Sequence, residues 1–125
     1  MTEAWVLDTD VCVDALRGHE GVLARLRARS PATVLTTAMT VAELRYGSLK
    51  SMNREANLAR VTAFLEPLTV IEFDAEAAAH HAEIRWALRE RPIGERDLVM
   101  AAVARARGMT LVTGNGREFG RVPGL

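Results

Sequence analysis

The apolar positions change period along the chain, and each change marks an element. Residues 4–7 form a short unbroken apolar run that halts at Asp8, as a buried first strand does. The spacing then turns helical: Asp10 is expected to cap a helix over residues 10–17 that Gly18 stops, and a second helix covers about 20–29 before Ser30-Pro31. Residues 33–37 are β-branched and apolar and predict a second strand. Thr40 is expected to cap an amphipathic stretch over 41–50, and the helical period returns over 54–64 with Leu58, Val61 and Leu65 on one face until Pro67 breaks it. Residues 68–73 read as a third strand. Asp74 caps the longest helix, through residue 89, with Ala78, Ala82, Trp86 and Arg89 stacked along it. Past the loop 91–94, Glu95 or Arg96 opens a helix that ends at Gly108; residues 109–113 give a fourth strand, and Gly114-Asn115-Gly116 a turn.

These strands lie too far apart in sequence for hairpins and alternate with helices, which implies βαβ crossovers and a parallel sheet covered on both faces. The expected fold class is therefore α/β. No internal repeat, linker or low-complexity segment interrupts residues 1–125, so the chain reads as a single domain.

Composition narrows the function classes. Sixteen basic residues balance sixteen acidic ones, which disfavours a protein that coats nucleic acid by bulk charge but not one with a localised site. With 49% hydrophobic residues the chain is not disordered, and no apolar run approaches the roughly 20 residues of a membrane helix. Of the basic residues fifteen are Arg and only Lys50 is Lys; a GC-rich genome explains the bias, although Arg also suits bidentate phosphate recognition. The single cysteine, Cys12, allows neither an internal disulfide nor a cysteine-based zinc site, and fits a reducing cytoplasm. The first residues carry no basic segment followed by an apolar stretch, so no signal peptide is expected.

In an open parallel sheet the functional cleft lies outside the carboxyl ends of the strands. Asp8 follows the first strand, Glu43 sits one turn into the helix after the second, Asp97 starts the helix before the fourth, and Asn115 follows that strand. Carboxylates gathered on one rim repel one another and call for a compensating cation. An all-oxygen donor set without matching Cys or His selects a hard ion, Mg²⁺ or alternatively Mn²⁺, that polarises a phosphodiester and activates a bound water. Hydrolysis of a phosphodiester is the implied reaction.

The residues Trp5-Val6-Leu7-Asp8-Thr9-Asp10, Thr40-Val41-Ala42-Glu43-Leu44-Arg45-Tyr46-Gly47, Asp97-Leu98-Val99-Met100-Ala101-Ala102 and Leu111-Val112-Thr113-Gly114-Asn115, with Arg117-Glu118-Phe119 and Arg121-Val122-Pro123-Gly124-Leu125, resemble the successive motifs of PIN-domain ribonucleases. More narrowly they are similar to the VapC toxins of bacterial toxin–antitoxin pairs. The resemblance implies a three-layer PIN-like domain whose parallel sheet of about four to five strands is flanked by helices. It also implies that Asp8, Glu43 and Asp97 are catalytic acids that bind Mg²⁺, that Thr9 orients the first Asp, and that Thr113 is the hydroxyl residue near the metal. The family's fourth acid falls at Asn115, an amide that would still ligate or orient water. Asp10 stands where the family more often has Asn or Ser, and its carboxylate either joins the site or, as favoured here, caps the first helix; relatives often continue past the position of Leu125 into one more short strand. The implied activity is endoribonucleolytic cleavage in exposed loops of structured RNA such as tRNA or rRNA. The implied assembly is a cytoplasmic homodimer neutralised by a small antitoxin.

Other residues carry alternatives. Arg45, Arg85, Arg96 and Arg117 are phosphate contacts near the rim or else solvated and paired surface charges. Tyr46 either stacks on an unpaired base or packs after Leu44. His80 and His81, being adjacent, face different directions and are not a helical metal pair; they read as surface or packing residues. Cys12 reads as a small core residue. Asp8-Thr9-Asp10-Val11 also resembles the nucleophile motif of haloacid-dehalogenase-like phosphatases, and the Asn115 amide leaves open a PIN-like module that binds RNA or a partner without turnover.

Overall fold

The computed structural model describes residues 3–125. Its strands are short: β1 (Trp5–Leu7), β2 (Val34–Thr37), β3 (Thr69–Ile71) and β4 (Thr110–Val112). All pair in parallel in the order β3-β2-β1-β4, with Val6 opposite both Leu35 and Leu111 and Thr36 opposite Val70. Chain order reverses between β1 and β4, so the crevice at the carboxyl end of these two strands is the place where such a sheet holds a ligand.

Among the described residues seven α-helices accompany the sheet: α1 (Thr9–Leu16), α2 (Glu20–Arg27), α3 (Ala38–Leu49), α4 (Arg54–Leu65), α5 (Ala75–Ala87), α6 (Glu95–Arg107) and the short α7 (Gly116–Phe119). Side chains of a strand alternate between the two sheet faces, and the core divides accordingly. Val6, Leu35 and Ile71 pack with Ala77 of α5 and Val103 and Ala104 of α6. Leu7 and Val34, one residue out of phase, pack with Val11 and Cys12 of α1, Leu44 of α3 and Val61 of α4. The result is the three-layer α/β/α arrangement expected from the sequence, with four strands among the described residues. A third cluster joins Ile84 of α5 to Leu98, Ala101 and Ala102 of α6 and to Phe119 and Val122 near the C-terminus. Ala101, Ala102 and Ala104 of α6 are fully buried, which brings that helix close to its neighbours. Gly108 ends α6 at φ 62°, a left-handed cap that a side chain would strain.

Several local expectations are corrected. Asp10 does not cap the first helix; Asp8 does, accepting the Val11 amide, while Asp10 lies exposed in the first turn. Thr40 does not cap α3, because Thr37 takes that role one turn earlier, and Thr40 is buried inside the helix. The stack Ala78, Ala82, Trp86 and Arg89 is the solvent face of α5; its buried face holds Ala77 and Ile84, so hydrophobicity there was spread round the helix. The turn at Gly114–Gly116 continues into α7, too short to leave a periodic signal. The expected caps at Asp74 and Gly108 stand where the sequence placed them.

Candidate active site

Asp8 is the first residue beyond β1, and its backbone N–H donates to the carbonyl of Val112 in β4 (3.1 Å). It is 3% exposed. Oδ1 accepts the Val11 amide at the start of α1 (2.9 Å), and Oδ2 accepts the Thr113 hydroxyl from the end of β4. Thr113 Oγ1 in turn accepts the backbone N–H of Asn115 (2.8 Å). A strand end, a helix N-terminus and the following turn thus hold one carboxylate at the switch between β1 and β4.

Glu43 reaches the same rim from α3. Its Oε1 accepts the Thr9 hydroxyl (2.7 Å), and its Oε2 accepts Arg96 Nη1 (3.3 Å). Thr9 Oγ1 lies 3.2 Å from Thr40 Oγ1, itself 3.4 Å from Met100 Sδ. Thr9, expected to orient Asp8, therefore holds Glu43. Asp97 stands in the first turn of α6, where the positive end of the helix favours an anion. Its Oδ2 accepts the Asn115 side-chain amide (3.4 Å), which makes Asn115 an orienting residue on Asp97.

The electrostatics identify this as a shared acidic field. Burial, chiefly, pushes the Asp8 carboxyl above its ordinary value against the opposing hydrogen bonds of Thr113 and Val11. Burial also raises Asp97, and the charges of Asp8, Glu43, Asp10 and Glu118 raise it further. Asp10, read from the sequence as a cap in preference to a member of the site, and Glu118, given no part there, thus add to the field. Glu118 pairs with Arg121 three residues on (3.0 Å). The hydroxyl of Thr40 was also missed; its only sequence signal was the cluster of threonines at the end of β2, which reads equally well as strand.

Among the described residues no three His, Cys, Asp or Glu side chains form a ready-made cage for a metal ion. The donor chemistry still fits Mg²⁺, an ion that keeps several waters and needs only one or two carboxylates beside a substrate phosphate. Of the arginines singled out, Arg96 touches the site through Glu43, whereas Arg45, Arg85 and Arg117 are exposed on α3, α5 and α7. Tyr46 is 62% exposed, so it does not pack into the core. His80 accepts Arg105 Nε (2.7 Å), and His81 Nε2 lies 3.1 Å from Glu95 Oε1. Cys12 is fully buried, as expected.

Comparison with known proteins follows the same outline. The PIN domain family matches residues 5–125. The tRNA(fMet)-specific endonuclease VapC of Shigella flexneri is 36% identical over 123 residues, covering 97% of this chain and 93% of the relative. The DNA-bound VapBC structure from Salmonella typhimurium superposes with a TM-score of 0.93 at 35% identity, covering 99% of this chain and 96% of its counterpart. The VapBC2 structure from Rickettsia felis, bound to a DNA fragment of its promoter, gives 0.91 at 34% identity, covering 98% and 95%.

Proposed function

The chain belongs to the PIN-domain family, and from that premise we infer that it is an endoribonuclease of the VapC type, a toxin held in check by a cognate antitoxin. The observation that carries the reading is that Asp8, Glu43 and Asp97, each held by its own hydrogen bond from Thr113, Thr9 or Asn115, lie close enough for the charges of Asp8 and Glu43 to act on Asp97. The finer assignment makes Asp8, Glu43 and Asp97 the acids that would hold Mg²⁺, with Mn²⁺ as a substitute. Bound there, the ion would polarise the phosphodiester and make a water nucleophilic near neutral pH.

The chain's own residues do the rest. Thr113 and the start of α1 fix both oxygens of Asp8, so the carboxylate meets its ligand without reorganising. Thr9 fixes one oxygen of Glu43 and leaves the other on the exchangeable Arg96. Asn115 turns Asp97 toward the same crevice without adding a further negative charge. Hydrolysis by in-line attack of water leaves a 5′-phosphate and a 3′-hydroxyl.

The substrate class we assign is an exposed loop of structured RNA such as tRNA, in line with the name of the Shigella relative. Among the described residues no helix is long and apolar enough to cross a membrane, and the working form we assign is a cytoplasmic homodimer that the antitoxin covers at the acidic rim. Family membership replaces the phosphatase reading of Asp8-Thr9-Asp10. The test mixes purified protein with total RNA and Mg²⁺, then repeats it with EDTA and with Asp8→Asn. Cleavage lost in both arms supports the mechanism; cleavage surviving both overturns it, and tight RNA retention without any cleavage favours a binding module.

A further inference from the structure

We propose that the hollow beside Glu43 is a nucleotide subsite, in which an unpaired nucleotide flanking the scissile bond stacks its base on Tyr46 and sets its phosphate against Arg96 and Lys50. The inference rests on the ribonuclease reading above and adds to it the residues that grip the RNA next to the cut.

The hollow measures about 410 Å³ and is lined by Thr9, Met39, Glu43, Tyr46, Lys50 and Arg96, among others. It shares Thr9 and Glu43 with the acidic rim, so an occupant here is continuous with the reacting phosphate. Tyr46 presents its ring on the outer side of α3, whose inner side buries Leu44 and Ser48. Gly47 also lines the hollow. An exposed aromatic ring in a cleft is the platform on which single-stranded bases stack, whatever their identity.

Charge complementarity selects the nucleotide. The rim is acidic and repels phosphate, and the hollow supplies cations from two different helices. Lys50, one turn beyond Tyr46, sets its ammonium 5.2 Å from the ring centroid. Arg96, from the first turn of α6, lies on Glu43 with a side chain that is 70% exposed. An ion pair so exposed is weak, and a phosphate offers the guanidinium a bidentate partner. Arrival of the RNA backbone therefore draws Arg96 off Glu43 and frees Oε2 of that carboxylate.

The experiment uses the full chain carrying Asp97→Asn, which is expected to bind without cutting, and fluorescein-labelled single-stranded rA12 and rU12. Adding Tyr46→Ala is expected to weaken binding of both about tenfold, Tyr46→Trp to preserve it, and Lys50→Ala to weaken it less while flattening the salt dependence. Unchanged affinity in Tyr46→Ala overturns the proposal, as does failure of the parent to bind either oligonucleotide. A change in solution mass with Tyr46→Ala overturns it too, by assigning the face to a second copy of the chain. Melting curves establish that the variants fold, which an exposed side chain allows. Mg²⁺-dependent cleavage of total RNA by the unmodified protein is scored separately. Cleavage with no effect of Tyr46 sinks the subsite alone, and its absence sinks the ribonuclease reading.

Discussion

Thr113 donates its hydroxyl proton to Asp8 Oδ2 across the junction of β4 and β1, two strands whose ends lie 105 residues apart in sequence. The same oxygen of Thr113 accepts the Asn115 amide, which fixes the rotor and aims its proton at Asp8. A group that orients a metal-binding carboxylate typically contributes about 10- to 100-fold to affinity or activity. Thr113→Val keeps the shape and is expected to lower Mg²⁺-dependent RNA cleavage by about that factor, while Thr113→Ser restores most of it. Steady-state cleavage rates for the two variants check the claim.

Asp97 bears the penalty of burial and the repulsion of Asp8, Glu43, Asp10 and Glu118. Without metal, Asp97→Asn is therefore expected to raise the melting temperature at pH 7.5, since it removes a disfavoured charge. Millimolar Mg²⁺ should raise the melting temperature of the unmodified protein and leave that of Asp97→Asn nearly unchanged. Differential scanning fluorimetry with and without EDTA measures both effects.

Cys12 sits beneath the sheet with its thiol pushed up to about 12, first by burial and then by the neighbouring Asp8 charge, against a hydrogen bond with Thr36. A raised folded value means that the thiol's contribution to stability is intact below the unfolded value near 8.5 and is lost as pH climbs through the folded one. Cys12→Ala should accordingly flatten the fall of stability between about pH 9 and 12. At pH 8 alkylation of Cys12 by iodoacetamide should be slow in the native protein and fast in urea.

Ala102 is fully exposure-free in the cluster that joins α6 to α5 and the C-terminal residues. Ala102→Leu inserts three carbons at a fully buried position and is expected to cost about 1–3 kcal/mol. Urea denaturation gives the value directly, and an unchanged midpoint would contradict the packing described.

The alternating strands and helices were legible because each strand is a short apolar run bounded by a helix start, and the three acids because they sit at the ends of those runs. Helix starts were harder to read. Asp8, just past β1, and Thr37, the last residue of β2, each cap the next helix, so the following polar residues, Asp10 and Thr40, looked like the caps. The alanine-rich α5 carries apolar groups on all sides, and only tertiary packing against α6 decides that Ala77 and Ile84 face inward. The acids could be named from motif text, but their fixings could not. That Thr9 holds Glu43, and that Asn115 holds Asp97, follows from side-chain distances across 34 and 18 residues.

The proposed reaction is attack of water on RNA at the rim of Asp8, Glu43 and Asp97, and the chemistry of the product ends tests it most directly. Total RNA treated with the protein and Mg²⁺ is mapped for 5′-phosphate ends, beside Asp97→Asn and EDTA controls. New 5′-phosphate ends that appear only with the unmodified protein and free Mg²⁺ are the predicted result. Ends bearing 5′-hydroxyls, or the same 5′-phosphate ends in either control, would contradict it.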